Sequence, residues 1–165
     1  MESVAALMQD GSAIDQGDEY INEFLGTEGR ADVERRTELF NIVARDFSTQ
    51  VGKTESRRER NEKNLREIHL TYGEIEFKSF FQVFKWIQST WKDKDADCWH
   101  NAFNVPGGTF IDLGHGAGKG ILSGAFMHQF EKCWGIEILE SLQNVSINLK
   151  EVYDSYLQEV SAEAY

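Results

Sequence analysis

The stretch that decides the fold class is Thr109-Phe-Ile-Asp-Leu-Gly-His-Gly-Ala-Gly-Lys-Gly120. Its first five residues have the β-branched and aromatic content of a buried strand. Three alternate glycines follow, which permit positive φ angles and leave the backbone bare for a ligand. The next residues have one apolar helical face: Ile121, Leu122, Ala125, Phe126 and Phe130. The sequence therefore predicts a strand, a tight loop and a helix.

The spacing of the glycines separates three kinds of nucleotide-binding loop. A P-loop requires a glycine, four residues and then Gly-Lys-Ser/Thr. Counting back from Gly118 places Leu113 where the first glycine belongs, and Gly120 stands where the magnesium-binding hydroxyl belongs. A Gly-x-Gly-x-x-Gly dinucleotide fingerprint fails too, because its third glycine would fall on Lys119 or Ile121. The P-loop is excluded and the dinucleotide loop is disfavoured.

A second strand is predicted after the helix, from Lys132 towards Leu139, with Glu137 at its carboxyl end. Together these segments predict a βαβ unit. Glu137 lies nineteen residues beyond Gly118, close to the offset at which an acid binds ribose hydroxyls in such units. The alternative is an ordinary α/β loop with a surface glutamate.

The pattern Asp-x-Gly-x-Gly-x-Gly resembles the first motif of class I S-adenosylmethionine-dependent methyltransferases. The resemblance implies S-adenosylmethionine as the cofactor. It also implies that the backbone at Gly114, Gly116 and Gly118 passes under the methionine part of the cofactor. Asp112 would face the cofactor, and Glu137 would bind its ribose.

A second informative segment, Tyr72-Gly73-Glu74, precedes a helix whose inner face is predicted to be core: Phe77, Phe80, Phe81, Phe84, Ile87 and Trp91. Taken alone, the turn is an ordinary helix entry. We call residues 114–118 the glycine loop. Together, the Tyr72 turn, the glycine loop and the Trp-Gly-Ile-Glu run that ends at Glu137 resemble the Dot-one (disruptor of telomeric silencing) type of histone-lysine methyltransferase over roughly residues 65–160.

The Dot-one resemblance implies that Tyr72 and Glu74 close over the methionine end of the cofactor, where Glu74 meets the α-ammonium group. Lys119 stands where such proteins commonly carry a neutral residue, and we expect it to pair with the cofactor carboxylate or to point to solvent. His115 is expected to be an exposed loop residue. No catalytic residue is predicted.

The predicted fold is α/β, with N-terminal helices followed by the first βαβ part of a Rossmann-like class I methyltransferase fold with an incomplete sheet. The resemblance implies a further strand with an Asn- or Asp-rich motif for the acceptor lysine. Residues 141–165 instead have the pattern of one helix. We therefore expect a fragment that lacks the acceptor half. Its unpaired strand edge, at Thr109 to Leu113, predicts self-association.

Three regions are predicted along the chain. Residues 1–17 are expected to be disordered, residues 18–67 to be helical, and residues 68–165 to form the partial methyltransferase domain. Gly26 and Gly52 are predicted to end helices. The dense mixture of charges from Lys53 to Glu67 predicts a solvated helix with i,i+4 ion pairs.

Composition narrows the class of partner. The net charge of −11 disfavours binding of nucleic acid through the overall field and suits a basic protein, a histone by the resemblance. Cys98 and Cys133 lack metal-ligand spacing, so no metal is predicted and both are expected to be reduced. Neither a signal peptide nor a membrane span is predicted. We expect an intracellular protein, nuclear by the resemblance.

The sequence thus predicts an S-adenosylmethionine-dependent histone-lysine methyltransferase domain, with the activity of this chain alone in doubt. A non-catalytic remnant of that fold, which acts as an interaction module, is the alternative. A nicotinamide-dependent dehydrogenase is a more distant third, because the glycine spacing disfavours it.

Overall fold

The computed structural model describes residues 11–66, 71–90 and 105–163. Within these ranges the chain forms five helices and two strands, which are α1 (Gly11–Ala44), α2 (Thr49–Glu62), α3 (Phe77–Thr90), β1 (Thr109–Leu113), α4 (Lys119–Met127), β2 (Lys132–Ile136) and α5 (Glu140–Glu163). Most of the described chain is helical, and a small sheet carries the glycine loop. This arrangement agrees with a partial α/β fold.

The two strands form a parallel sheet, in which Asp112 pairs with Gly135 and Leu113 with Ile136. Helix α4 connects the two strands, so β1, the glycine loop, α4 and β2 follow one another in the predicted order. β2 ends one residue before Glu137. The glycine loop and Glu137 therefore share the carboxyl edge of the sheet, which is where open α/β sheets bind ligands.

One face of this sheet packs on α4 and the other is open. On the packed face, Phe110 and Asp112 lie against Gly124 and Gly120 of α4. The large apolar residues of the other face are 46–77% exposed, and with Ile138 (75%) beyond β2 they form what we call the open sheet face: Ile111, Leu113, Trp134, Ile136 and Ile138. Parallel sheets are normally covered on both faces, so one covering layer is missing from the described part of the chain.

The hydrophobic core lies where α1, α3 and α4 meet. The rings of Phe40 and Phe77 stack at 4.6 Å between centroids, and Phe126 meets both edge-on. Phe81 is fully buried beside them. The aromatic face predicted for α3 is therefore core at Phe77, Phe81 and Phe84; Trp91 lies outside the described residues.

The helix ends in the N-terminal region differ from those predicted. α1 begins at Gly11, inside the segment expected to be disordered, and passes through Gly26 without a break. Gly52 lies inside α2 instead of ending a helix. A single glycine costs a helix only about 1 kcal/mol, so packing can keep it in a helix interior.

The prediction of a solvated α2 is wrong at its inner face, where Glu59 is 5% exposed. Its Oε1 accepts from the backbone N–H of Glu140 at 3.1 Å, and its Oε2 accepts from that of Ser141 at 2.6 Å. Lys63 forms an ion pair with the same carboxylate at 2.6 Å. A carboxylate at a helix N-terminus satisfies free N–H groups and the helix dipole. Glu59 thereby joins α2 to the start of α5.

Replacement of Glu59 by glutamine should reduce the free energy of unfolding by about 1–3 kcal/mol at pH 7, because charged hydrogen bonds are lost. Burial raises the pKa of Glu59, but hydrogen bonds from Lys63, Ser141 and Glu140 outweigh burial and lower the pKa to about 2. A lowered folded-state pKa stabilises the fold above the usual glutamate pKa and stops doing so as the pH falls towards 2. The measurement is urea denaturation at pH 7 and pH 3.

We expect the loss caused by Glu59→Gln to be smaller at pH 3 than at pH 7. Glu62→Gln, an exposed change on the same helix, is the matched control and should alter stability little at either pH. Equal losses at both pH values for Glu59→Gln would show that its charge is not what holds α5.

Candidate functional site

The glycine loop turns sharply between β1 and α4. Gly114, Gly116 and Gly118 all have positive φ angles, between 56° and 86°. The backbone N–H groups of Gly114 and His115 donate to the Ile136 carbonyl, at 2.7 and 3.2 Å. Because Ile136 is the last residue of β2, these two bonds fix the loop to the end of that strand. Glycine at alternate positions is thus required by the backbone itself.

Tyr72 is wedged between two bare stretches of backbone. A Cβ atom built on Gly116 would lie 2.6 Å from the Tyr72 ring, and one built on Gly52 would lie 2.3 Å from it. Any larger residue at either position would collide with the phenol. The glycines at 52 and 116 therefore let α2 and the glycine loop close on the two sides of one aromatic ring.

Glu74 collects three donors from three parts of the chain. Its carboxylate accepts from the hydroxyls of Thr49 and Tyr72 and pairs with the Lys119 ammonium at 2.9 Å. The side chains of Lys119 and Glu74 are only 16% and 11% exposed. Burial raises the pKa of Glu74, yet hydrogen bonds from Thr49, Tyr72 and Lys119 outweigh it and leave the pKa below its usual value. Burial, helped by Glu74, raises the pKa of the Tyr72 phenol.

Glu137 bonds to the glycine loop and to the two residues that precede α5. Its Oε2 accepts from the Gly116 N–H at 2.8 Å. Its Oε1 accepts from the N–H groups of Ile138 and Leu139, at 2.7 and 2.8 Å. A carboxylate offers about four acceptor positions. Three are filled by backbone groups, so Oε2 retains room for about one further donor.

Four of the predicted site residues lie around one cleft of about 340 Å³: Tyr72, Gly114, Gly116 and Glu137. Its remaining walls are mainly apolar, with Ile136, Ile138, Leu139 and Leu142. A Cβ atom built on Gly114 would meet nothing within 4 Å, so that stretch of backbone faces open space. Glu74 and Lys119 instead line a separate cavity of about 300 Å³ beside α1 and α3.

The other two predicted residues pack against helices. A Cβ atom on Gly118 would lie 2.6 Å from the Ser146 hydroxyl of α5. The Asp112 carboxylate lies against Gly120 at the start of α4, where a Cβ atom would be 2.0 Å from its Oδ2. Burial raises the pKa of Asp112 most; nearby His115 opposes this rise, and Glu137 adds to it. Neither Gly118 nor Asp112 lines the 340 Å³ cleft.

His115 is buried, at 6% exposure, which corrects the expectation of an exposed loop histidine. Its Nδ1 lies 2.9 Å from the Gly116 carbonyl, and its Nε2 lies 2.9 Å from the Gln143 Oε1. The imidazole turns inward because Gly135 of β2 leaves room for it: a Cβ atom there would be 2.9 Å from the ring. His115 therefore links the glycine loop to α5.

Sequence reasoning missed Thr49, Gly52 and Gln143, which contact Glu74, Tyr72 and His115. A signal existed for Gly52, since an isolated glycine inside a helical pattern usually has a packing reason. Thr49 and Gln143 are ordinary helix residues in the sequence, and only the tertiary fold brings them to the site.

The described part of the chain was compared with the requirements of a metal site and of a membrane-spanning helix, and it meets neither. His, Cys, Asp and Glu side chains there form no group of three or more that could hold a metal ion. Cys133 is a free, half-buried thiol, and Cys98 lies outside the described residues. No described helix combines the length and apolar character needed to cross a membrane.

The close contact at Gly52 should reverse the usual effect of alanine in a helix. Gly→Ala in a helix interior normally stabilises by about 0.5–1 kcal/mol. Here Gly52→Ala should destabilise by about 1–3 kcal/mol, because the added methyl group collides with the Tyr72 ring. In a Tyr72→Ala background the same change should become stabilising. Urea denaturation of the four proteins of this double-mutant cycle measures the coupling. Additive effects would mean that the ring does not press on Gly52.

Comparison with known proteins gives one match. Residues 100–163 match the model of the family "Histone methylation protein DOT1". The match includes both strands, the glycine loop, and helices α4 and α5. The search of curated proteins and the search of solved structures returned no match. The resemblance predicted from the sequence is thus confirmed, and residues 100–163 place this chain close to the DOT1 family of histone methylation proteins.

Proposed function

We propose that the chain is part of a histone-lysine methyltransferase domain with a Rossmann-like class I fold and S-adenosylmethionine as its cofactor. The observation that carries the proposal is the bond between the Gly116 N–H and Glu137 at the edge of a parallel sheet, beside a cleft of about 340 Å³. The match of residues 100–163 to a histone methylation family supports the same reaction class. Clefts of at least about 300 Å³ are typical of small-molecule sites.

The residues around the cleft are compatible with this cofactor. The bare backbone at Gly114 permits close approach of a ligand. Glu137 keeps room for about one further donor, so a single ribose hydroxyl can bind without displacing the Gly116 N–H. The apolar walls at Ile138 and Leu142 suit a flat base. When bound, the cofactor would supply an electrophilic methyl group on a sulfonium.

The chain's own groups would bind and orient rather than react. Glu137 would hold a ribose hydroxyl, while Tyr72 and the loop at Gly116 would shape the inner end of the cleft. Methyl transfer needs a neutral amine held in line and shielded from water. An Asn- or Asp-rich motif, implied by the resemblance, would position that amine, while the groups of this chain would hold the cofactor.

The substrate we propose is a histone. A net charge of −11 favours association with a basic protein and opposes direct binding of nucleic acid through the overall field. The family match points the same way, since its members are described as histone methylation proteins. A nuclear location follows from this substrate.

Calorimetric titration of S-adenosylhomocysteine into the chain tests the cofactor site. We expect binding by the unaltered chain. Glu137→Gln should weaken it about tenfold or more, because a charged acceptor beside the ligand is lost. Gly116→Val should abolish it, since the new side chain collides with Tyr72.

Glu140→Gln is the matched control. The Glu140 side chain is 78% exposed, and its ion pair with Lys63 is long, at 3.9 Å. It should leave the affinity unchanged. Absence of binding by a chain shown to be folded would contradict the proposed site. Transfer of labelled methyl to histone by the chain alone would exclude a non-catalytic module, whereas binding without transfer agrees with both a methyltransferase fragment and a binding module.

A second candidate, a non-catalytic interaction module, is favoured by the open sheet face. Five large apolar side chains there are 46–77% exposed, and contiguous apolar surface of this kind marks interaction sites. In addition, β1 pairs only with β2 among the described strands, so its outer edge lacks a strand partner there. This geometry supports the proposed self-association.

The chain should therefore associate with increasing concentration, which light scattering measures. Leu113→Lys should reduce association, because it places a charge on the most exposed residue of the open sheet face (77%). Leu157→Lys on α5, where the leucine is 44% exposed, is the control and should have little effect. A monodisperse monomer at all concentrations would contradict self-association.

A further inference from the structure

We propose that a groove between α1 and α5 is a docking surface for an amphipathic helix of a partner protein, with lysine or arginine residues along one flank of that helix. The groove has a volume of about 420 Å³. It lies between the C-terminal end of α1, together with the turn that follows it, and residues 148–159 of α5. We call it the α1–α5 groove. None of its residues lines the 340 Å³ cleft, so the inference does not depend on the proposed cofactor.

Helix α5 carries one apolar stripe, of which only the first half is fully covered. Leu142, Val145 and Leu149 are buried in the core. The same helical spacing continues to Val152 and Tyr156. Val152 is 42% exposed and Tyr156 is half-buried. The stripe that packs the start of α5 into the core therefore continues into the α1–α5 groove, where the described residues leave it partly uncovered.

The core holds part of the groove lining in place. Val43 is 2% exposed, and Phe47 and Tyr156 pack against the core cluster. Ile42 and Val152, at 54% and 42% exposure, present apolar surface to a partner. Two packed helices leave a groove along their line of contact, and ridges of a third helix fit such a groove. Because this lining is already packed, binding costs little reorganisation.

The ionisable side chains that line the groove are both carboxylates, Glu151 and Glu159. Both residues are exposed, and neither forms an ion pair with any described residue. Lys150, which precedes Glu151, pairs with Asp154 instead. Glu159 follows Glu151 by eight residues, which is about 12 Å along a helix. Two basic side chains about two turns apart on a partner helix match this spacing.

Charge and backbone geometry together select the occupant. A second copy of this chain has the same net charge of −11, and nucleic acid is also acidic, so each would bring further negative charge to Glu151 and Glu159. An extended peptide would find no free backbone partners, because helices bond their own N–H and C=O groups. A helix instead brings apolar residues at i, i+3 or i+4 and i+7 over Ile42 and Val152, with basic residues beside the carboxylates.

The probe is a fluorescent peptide of about 18 residues, long enough for a helix, that consists of leucine and lysine at amphipathic spacing. Its twin carries glutamate in place of lysine. In fluorescence anisotropy we expect the lysine peptide to bind the full chain and the glutamate peptide not to bind. The double change Glu151→Gln and Glu159→Gln should weaken binding of the lysine peptide about tenfold, because two ion pairs are lost. Val152→Ser should weaken it about fivefold, because apolar contact is lost.

Matched controls separate the groove from the rest of the surface. Glu62→Gln with Glu131→Gln removes the same amount of charge from exposed positions outside the groove, and it should change the affinity less than twofold. Leu113→Ser removes apolar surface from the open sheet face and should likewise leave the affinity unchanged. The Glu151 and Glu159 changes lie on the exposed side of α5, so they test the groove even if Val152→Ser does not fold.

Four outcomes would overturn the inference. No binding of the lysine peptide would show that the groove accepts no basic helix. Equal binding of the glutamate peptide would show that the two carboxylates do not select the partner. An equal loss in the Glu62 and Glu131 control would assign binding to the overall charge. A loss with Leu113→Ser but none with the Glu151 and Glu159 change would assign it to the open sheet face.

Discussion

The N-terminus of α5 is the point on which the described structure depends. Its first two N–H groups, at Glu140 and Ser141, donate to the Glu59 carboxylate of α2. The two N–H groups just before it, at Ile138 and Leu139, donate to the Glu137 carboxylate. Glu137 also accepts from Gly116. The start of one helix thus fixes the helical region, the second strand and the glycine loop relative to each other. Because a helix N-terminus carries partial positive charge, one feature can bind two acidic groups at once.

The glycines of the loop have two explanations that coexist. Their positive φ angles satisfy the sharp turn, and their lack of side chains admits close neighbours. At Gly116 and Gly118 those neighbours belong to the protein, Tyr72 and Ser146. Gly114 alone of the three has no neighbour within 4 Å of a built Cβ atom. A ligand is therefore needed to explain at most part of the glycine pattern, and internal packing explains the rest.

Local patterns in the sequence predicted the βαβ unit well. The strand, the loop, the helix and the acid after β2 are specified by residues within about thirty positions, a range in which periodicity and glycine spacing are informative. The burial of Glu59 and His115 was not predicted, because each is decided by a distant partner. Glu59 contacts Ser141, and His115 contacts Gln143. Nothing in a mixed-charge helix distinguishes the glutamate that will face another helix from those that face water.

The same long-range dependence limited prediction of the site. Tyr72, Gly114, Gly116 and Glu137 lie around one cleft, whereas Glu74 and Lys119 face a different cavity. The side chains of Tyr72 and Glu74 meet through a hydrogen bond, but the ring of the first covers Gly116 while the carboxylate of the second pairs with Lys119. This placement depends on where α2 lies, because Gly52 admits the ring and Thr49 donates to the carboxylate.

The open sheet face and the cleft share a boundary, and this links the two proposed roles. Ile136 and Ile138 belong to the open sheet face, at 56% and 75% exposure, and also line the cleft. Any layer that covers this face would therefore wall the cleft and exclude water from it. Exclusion of water strengthens each electrostatic contact at Glu137 and is a requirement for methyl transfer. Coverage of the sheet and completion of the site would thus be a single event.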